Sequence, residues 1–438
     1  MADDVDRTAL RPRRAQESFI GRCRSGAVWC AKRIGPGVIT GASDDDPSGI
    51  ATYAIAGSSL GYGLLWVALI TTPLMIAVQE TCARIGMVGG TGLIAAMRKV
   101  MPRWLLLSLV VLVVAANTMN IAADVAGMSS SAALVTPVPA EAWAVGFGVL
   151  LIAVEVFASY RLFASIVKWL CLSLLSYVVT AFVVRVDWLA ALRHTIVPEI
   201  RLEKAWMATF VGFLGTTITP YLFVWQAALE VEEERARGRT TIRRRRGATR
   251  AEIRAERADV VTGMIYSNAV AWFIVLASAA TLHAHHPQIL SVADAASALR
   301  PLAGDGAELL FALGVVGAGL LAVPVLAGSS AYALADAFAF EGNLDARPRS
   351  APLFYGAIAL GIALGVAADL THLDAVSALF WSAVVNGFVA VPLLAGVLAT
   401  ANRRDVMGAW RNGRLTNVLV LITIVLMALA AAGLVFTA

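Results

Sequence analysis

The chain has 438 residues, of which 59% are hydrophobic and only 15% are charged, and its formal net charge is +5. A soluble protein carries about 25% charged residues, so this composition excludes a soluble globular protein and indicates a polytopic helical membrane protein. No short apolar stretch followed by a small-residue cleavage site is visible, so we expect no signal peptide.

A basic leader, residues 1–33, precedes eleven membrane spans predicted from hydropathy and segment length. The predicted spans are 34–58, 63–86, 103–127, 142–158, 162–184, 206–229, 259–281, 306–335, 352–370, 376–399 and 416–437. With the N-terminus inside, all but five of the 35 Lys and Arg fall on the cytoplasmic side. The exceptions are Arg185, Arg193, Arg201, Lys204 and Arg300. The positive-inside rule therefore predicts a multi-pass protein of the plasma membrane with a cytoplasmic N-terminus.

The range 231–258, between the sixth and seventh spans, carries ten arginines, including Arg243–Arg246. Such a block can bind anionic lipid or nucleic acid. It is also typical of a solvated cytoplasmic loop that obeys the positive-inside rule, and we favour this interpretation. We therefore expect the lipid bilayer as surroundings, no nucleic-acid partner and no obligatory protein partner.

Two of the predicted spans are broken near the middle by a proline set among polar residues, at Ser43–Gly49 and at Thr216–Tyr221. Lipid cannot satisfy the backbone groups that a broken helix frees, and a matched pair of breaks indicates the substrate site of a transporter. Because the breaks lie in the first and sixth spans, they predict two five-span halves, 34–200 and 206–400, related by an inverted repeat. The remaining span, 416–437, is an addition to this repeat.

The first break carries three carboxylates, Asp44, Asp45 and Asp46, so we expect a cationic substrate. Asp46 lies twelve residues into the span, about 18 Å along a helix, where an unpaired carboxylate is costly and a divalent cation is its natural partner. At the second break the Thr219 hydroxyl and the freed carbonyls near Thr216 are further oxygen ligands. A threonine in a membrane helix more often bonds only to its own backbone.

The segment Gly35–Ala42, followed by Asp-Asp-Pro-Ser-Gly, resembles the first span of the Nramp family of divalent metal transporters, and the sixth-span break matches in position. The resemblance implies an all-α membrane protein with the LeuT-like inverted-repeat fold. The family's Asp-Pro-Gly-Asn reads Asp46-Pro47-Ser48-Gly49 here, so the acid is kept and the metal-binding Asn becomes Gly49. The family's Met-Pro-His reads Thr219-Pro220-Tyr221, and a further family His aligns with Gln226.

These departures favour a harder cation. A thioether ligand favours transition metals, whereas Thr219 offers oxygen, which Mg²⁺ prefers while keeping several of its waters. The pattern is similar to the Nramp-related magnesium transporters. We expect a transporter rather than an enzyme, with Mg²⁺ as preferred substrate, Mn²⁺ tolerated and no cofactor. The predicted site comprises Asp46 as charged ligand, Thr219, Gly49, Thr216 and the carbonyl near Ala42 around the ion, and Tyr221, Gln226 and Asn386 holding waters or lining the path.

Histidine placement bears on proton coupling. The five histidines, His194, His283, His285, His286 and His372, all fall in predicted outer loops or at span ends, where a membrane proton relay cannot use them. Where the family has a third-span carboxylate pair, only Asp124 aligns. The sequence thus predicts transport that is not strictly proton-driven. Three alternatives stay open: a proton-coupled Mn²⁺ or Fe²⁺ transporter, an amine or amino-acid carrier of the same fold, and a non-transporting metal sensor.

Overall fold

A computed structural model describes residues 36–157, 174–284, 288–289, 291–344, 346, 348–371 and 374–437. The predicted leader, 1–33, lies outside the described residues. So do the first part of the predicted fifth span, 162–173, and the histidines at 285, 286 and 372.

All regular elements in these ranges are helices. Those that correspond to predicted spans are α1 (Pro36–Asp44), α2 (Pro47–Leu60), α3 (Leu65–Gly89), α4 (Arg103–Val135), α5 (Ala140–Phe157), α6 (Leu175–Val183), α7 (Lys204–Thr217), α8 (Pro220–Ala236), α9 (Arg250–Leu282), α10 (Ala307–Phe338), α11 (Pro352–Asp369), α12 (Ala375–Ala401) and α13 (Arg414–Thr437). Short helices connect them at Leu93–Met97, Trp188–Ile196, Ile242–Arg245, Val292–Ala296, Arg300–Ala303 and Arg404–Met407.

Nine helical segments of the described chain are long and apolar enough to cross a membrane. They correspond to nine of the eleven predicted spans. The first span is divided into α1 and α2, of 9 and 14 residues, each shorter than the roughly 20 residues that a bilayer requires. The fifth lies partly outside the described residues. The prediction of an all-helical membrane fold with a broken first and sixth span is confirmed.

The range 231–258 was predicted to be a loop, and this prediction is too wide. Helix α8 continues to Ala236, and α9 already begins at Arg250. The early start of α9 has a local cause, because Thr249 Oγ1 accepts from the Glu252 N–H at 3.2 Å while the Glu252 carboxylate accepts from the Thr249 N–H at 2.7 Å. This reciprocal capping box stabilises the first turn. The connecting segment is therefore 237–249, which we call the arginine-rich segment.

The arginine-rich segment folds against the ends of neighbouring helices. The Gly247 N–H donates to the Val88 carbonyl at 2.9 Å. Arg245 is buried, and its guanidinium donates to the carbonyls of Gly90 at 3.1 Å and Thr240 at 2.7 Å. Arg239 bridges α8 and α9, with N–O distances of 2.6 Å to Glu234 and 2.7 Å to Glu252. The segment is therefore an ordered part of this end of the helix bundle.

Helix α1 contacts α9 through backbone, because three glycines leave no side chain between them. A Cβ on Gly41 would overlap the carbonyl oxygen of Gly263, and a Cβ on Gly263 would overlap the carbonyl oxygen of Gly37. At the start of α1, the Gly37 N–H donates to Asp259 Oδ2 of α9 at 2.6 Å. Glycine is required here by close approach, and this contact fixes the position of the half-helix that ends at the first break.

Candidate metal centre

The first break presents a buried carboxylate at the start of α2. Asp46 is the N-cap of α2, with an extended backbone (φ −74°, ψ 169°), and its Oδ1 accepts from the Gly49 N–H at 2.7 Å. Pro47 occupies the first helical position, where its missing N–H is not needed and its ring disfavours helix at the residue before it. Ser48 Oγ donates to the same Oδ1 at 2.7 Å. Two donors and the helix N-terminus therefore hold one oxygen of Asp46.

The second break repeats this backbone geometry with a neutral residue. Thr219 precedes Pro220 in an extended conformation (φ −88°, ψ 137°) at the start of α8. Unlike Asp46, Thr219 does not cap its helix with its side chain. Its Oγ1 is buried and has no hydrogen-bond partner among the described residues. The residue-proline pair thus produces the same local structure twice, and only the second leaves its side-chain oxygen free.

The two breaks meet through Tyr221. Its hydroxyl lies 2.9 Å from the Ser43 carbonyl oxygen and 3.3 Å from Asp46 Oδ2, so it contacts the end of α1 and the carboxylate. Gly49 lies beside Thr216 of α7, since a Cβ on Gly49 would stand 2.9 Å from Thr216 Oγ1 and 3.4 Å from Asp46 Oδ1. The structure therefore brings four residues of the predicted site together: Asp46, Gly49, Thr216 and Tyr221.

Several buried polar atoms of the second break and of the neighbouring helix α12 lack partners. Within the described residues, Thr216 Oγ1, Thr219 Oγ1 and both amide atoms of Asn386 make no hydrogen bond. Leaving a buried polar group unpaired costs about 1–3 kcal/mol, so such groups mark a place where a ligand or water supplies the partner. Asn386 lies on α12, which touches α7 through backbone because a Cβ on Gly215 would overlap the Ala383 carbonyl oxygen.

Two predicted residues are placed differently. Gln226 accepts from Thr40 Oγ1 at 2.6 Å and donates to Glu230 at 3.0 Å, so both ends of its amide have protein partners on α1 and α8. Ala42 is half-buried and packs against the apolar core. The carbonyl that reaches the second break is that of the next residue, Ser43.

The hydrogen-bond partner of Asp44 and Asp45 was not identified from the sequence. Ser267 of α9 donates to Asp44 Oδ2 at 2.5 Å and lies 3.3 Å from Asp45 Oδ1, and all three side chains are buried. The adjacent Ser267 and Asn268 interrupt an apolar stretch, and this was the available signal. These contacts turn Asp44 and Asp45 toward α9, while Asp46 faces the second break.

Helix α4 brings two more polar groups to the region. Asp124 is buried and lies within electrostatic range of Asp46, and the amide of Asn120 is buried without a partner in the described chain. Asn117, in contrast, donates to the hydroxyls of Ser329 and Ser330 on α10, at 2.8 and 2.9 Å, and therefore joins two helices.

The arrangement offers a cation the Asp46 carboxylate at the first break, a second carboxylate, Asp124, within electrostatic range, and several neutral oxygens. The described residues contain no group of three or more His, Cys, Asp or Glu placed to hold a metal ion. The direct partners of the Asp46 carboxylate are hydroxyl and amide groups. The oxygens that remain for an ion are those of the Asp46 carboxylate, the Thr216 and Thr219 hydroxyls and the Asn386 amide carbonyl. Such oxygens suit hard divalent cations, and an ion with so few charged ligands would keep part of its water shell.

Comparison with known sequences finds one family along nearly the whole chain. A family profile described as "Nramp: Natural resistance-associated macrophage protein-like" matches residues 37–437. The "Divalent metal cation transporter MntH" of Verminephrobacter eiseniae is 28% identical over 420 residues, which cover 93% of this chain and 89% of the relative. The protein of the same name from Deinococcus radiodurans is 28% identical over 386 residues, covering 86% and 83%.

Comparison with solved structures agrees on the fold. A manganese transporter from Eremococcus coleocola, crystallised with an aromatic bis-isothiourea compound, has a TM-score of 0.69 at 17% identity and covers 92% of this chain and 86% of its own. Mhp1, a nucleobase-cation-symport-1 family transporter with the LeuT fold, has a TM-score of 0.57 at 14% identity, covering 93% and 94%. With the profile match spanning nearly the whole described chain, the protein belongs to the Nramp family.

Proposed function

We propose that this protein carries divalent metal cations across a membrane by alternating access, binding the ion between the two breaks. The observation that carries the proposal is the Tyr221 hydroxyl, which contacts both the Ser43 carbonyl and Asp46. It joins the broken first and sixth spans at a single carboxylate, as expected for the site of a transporter of this architecture. Membership of the Nramp family and the names of the relatives support the substrate class.

Within this class we propose Mg²⁺ as the preferred ion, with Mn²⁺ tolerated. The support is the donor set: Thr219 stands where the family pattern has a methionine, Gly49 where it has an asparagine, and the free groups are oxygens of Thr216, Thr219 and Asn386. Gly49 and Thr219 are smaller than the asparagine and methionine of the family pattern, and a wider site would favour an ion that keeps several of its waters, as Mg²⁺ does.

We propose further that the protein lies in the plasma membrane with its N-terminus and the arginine-rich segment in the cytoplasm. The distribution of Lys and Arg along the chain supports this orientation. The orientation can be measured by replacing Arg243 with cysteine and labelling that cysteine from one side of the membrane at a time. Labelling from the outside only would oppose it.

Exchanging Thr219 for methionine should move the preference toward softer metals. Because a thioether favours transition metals over Mg²⁺, we expect the ratio of Mn²⁺ to Mg²⁺ uptake in proteoliposomes to rise by about tenfold, on the order of 1.4 kcal/mol. Thr219→Leu is the matched control, since leucine has nearly the volume of methionine without the sulfur. An equal ratio in the two variants would show that side-chain size, not the ligand atom, decides selectivity.

Uptake should proceed without stoichiometric proton movement. His194 and His283 lie at helix ends, where His283 Nδ1 contacts the Ser58 carbonyl oxygen at 2.8 Å. The third span, α4, carries Asp124 where the family pattern has a pair of carboxylates. We expect Mg²⁺, Mn²⁺ and Ca²⁺ added in turn to proteoliposomes to leave lumenal pH unchanged while Mg²⁺ accumulates. Acidification in proportion to uptake would overturn this.

A proton-coupled manganese transporter is the second candidate, favoured by the Eremococcus coleocola transporter of similar fold, which is named for manganese. The two candidate functions predict different results when Mg²⁺ competes with Mn²⁺ for uptake. Millimolar Mg²⁺ should suppress Mn²⁺ uptake if Mg²⁺ is the preferred ion, and should leave it intact if the protein is selective for manganese.

A further inference from the structure

A cavity of about 310 Å³ opens where α4 begins and α10 ends, apart from the metal centre. Its wall combines two arginines, Arg98 and Arg103, with apolar side chains that include Met101, Leu107 and Phe338. A cavity of this volume is within the range that holds small organic groups. The combination of paired cations with an open apolar wall is its distinguishing feature.

The cationic part is accessible. Arg98 and Arg103 are both exposed, and a guanidinium has five N–H donors in a planar fork that matches phosphate oxygens. Arg98 Nη1 lies 3.4 Å from the Asp336 carbonyl oxygen at the end of α10. The Asp336 carboxylate also lies within electrostatic range of this guanidinium, whose five N–H groups exceed what this one hydrogen bond uses.

The apolar part continues along the lipid-facing side of α4. Leu107 lines the cavity, and Val111, one helical turn further, is 66% exposed. Residues four apart lie on the same face of a helix. Phe338, which lines the cavity, is 58% exposed, and Trp104, next to Arg103 at the start of α4, is 70% exposed. Exposed tryptophan at the end of a membrane helix is typical of the headgroup level. The wall thus runs from the interface into the hydrocarbon region.

These two parts match an amphiphile with a negative head. A soluble anion would use the arginines but not the apolar strip, and a neutral lipid would use the strip but leave two cations unmatched. We propose that the cavity binds an anionic phospholipid, with its phosphate at Arg98 and Arg103 and an acyl chain along Leu107 and Val111. Basic pockets between membrane helices are suited to such headgroups.

Native mass spectrometry of the full chain, titrated with phosphatidylglycerol or phosphatidylcholine, tests the proposal. The unmodified protein should bind phosphatidylglycerol more tightly. Since each interfacial arginine contributes about 1 kcal/mol, Arg98→Gln with Arg103→Gln should weaken phosphatidylglycerol binding by about 30-fold and leave phosphatidylcholine binding unchanged. The control is Arg243→Gln with Arg244→Gln, which removes the same charge from the arginine-rich segment and should retain the lipid preference.

Two further experiments distinguish lipid binding from binding of a free anion, and binding in this cavity from non-specific attraction to positive charge. Leu107→Trp leaves both arginines in place but fills the apolar wall, and it should weaken phosphatidylglycerol binding. Millimolar inorganic phosphate should not displace the lipid. The proposal is overturned if phosphate competes fully, if Leu107→Trp binds normally, or if the Arg243 and Arg244 pair matters as much as the Arg98 and Arg103 pair.

Discussion

Asp46→Asn should abolish divalent cation uptake while the protein folds normally. Asparagine caps a helix about as well as aspartate, so it can keep the contact with the Gly49 N–H and preserve the start of α2. What it removes is the negative charge beside the free hydroxyls. Leaving a buried charge without its partner costs about 3–5 kcal/mol, so uptake into proteoliposomes should fall by about a hundredfold or more.

Asp45→Asn is the matched control for this result. It removes the same charge one residue earlier, from a carboxylate that faces Ser267 of α9, and we expect it to lose far less activity. Thermal unfolding in detergent should give similar midpoints for both variants. Normal Mg²⁺ uptake by Asp46→Asn would remove Asp46 from the site, and equal losses in both variants would show that the total charge of the break, not the position of Asp46, supports transport.

Gly41→Val should separate α1 from α9 and inactivate the transporter. A side chain at 41 would overlap the backbone carbonyl of Gly263, which cannot move out of the way as a side chain could. Overpacking of this kind typically costs about 1–3 kcal/mol. We expect a lower midpoint of thermal unfolding and at least about a tenfold loss of uptake, because Ser43 and the acidic residues that follow are positioned by this half-helix.

Gly146→Val provides the comparison, since no atom lies within 4 Å of a Cβ built at that helical glycine. The comparison therefore subtracts the intrinsic effect of replacing glycine by valine in a helix. If Gly41→Val were as stable and as active as Gly146→Val, the backbone contact between α1 and α9 would not exist in the working protein.

Local chemistry made the two breaks predictable from the sequence. Proline disfavours helix at the residue before it and is favoured at the first helical position, so Asp46-Pro47 and Thr219-Pro220 each predict a break with an extended residue before it. Distance along the span then placed Asp46 near the middle. The structure has both breaks, each with an extended residue before the proline, because this geometry depends on neighbours in the chain and not on partners elsewhere.

Contacts between distant segments were not predictable in the same way. Nothing in the neighbouring sequence indicates that the Ser267 hydroxyl donates a hydrogen bond to Asp44, 223 positions away. The same holds for the hydrogen bond that the Thr40 hydroxyl donates to the Gln226 amide oxygen. The glycines of α1 are visible in the sequence, but their partner Gly263 is defined only when α9 lies against them. The capping box at Thr249 and Glu252, in contrast, is a local signal, and its sequence pattern indicates a helix that starts at Arg250.

The buried guanidinium of Arg245 marks a position where lysine could not replace arginine. Rules of membrane topology count lysine and arginine equally, yet the chain contains 31 arginines and four lysines. Arg245 reaches the carbonyls of Gly90 and Thr240 with separate nitrogens of its planar group, a geometry that a compact ammonium cannot reproduce. At this position the residue type is selected by shape, so a lysine that preserved the orientation signal would still loosen the connection between α3 and the segment that follows α8.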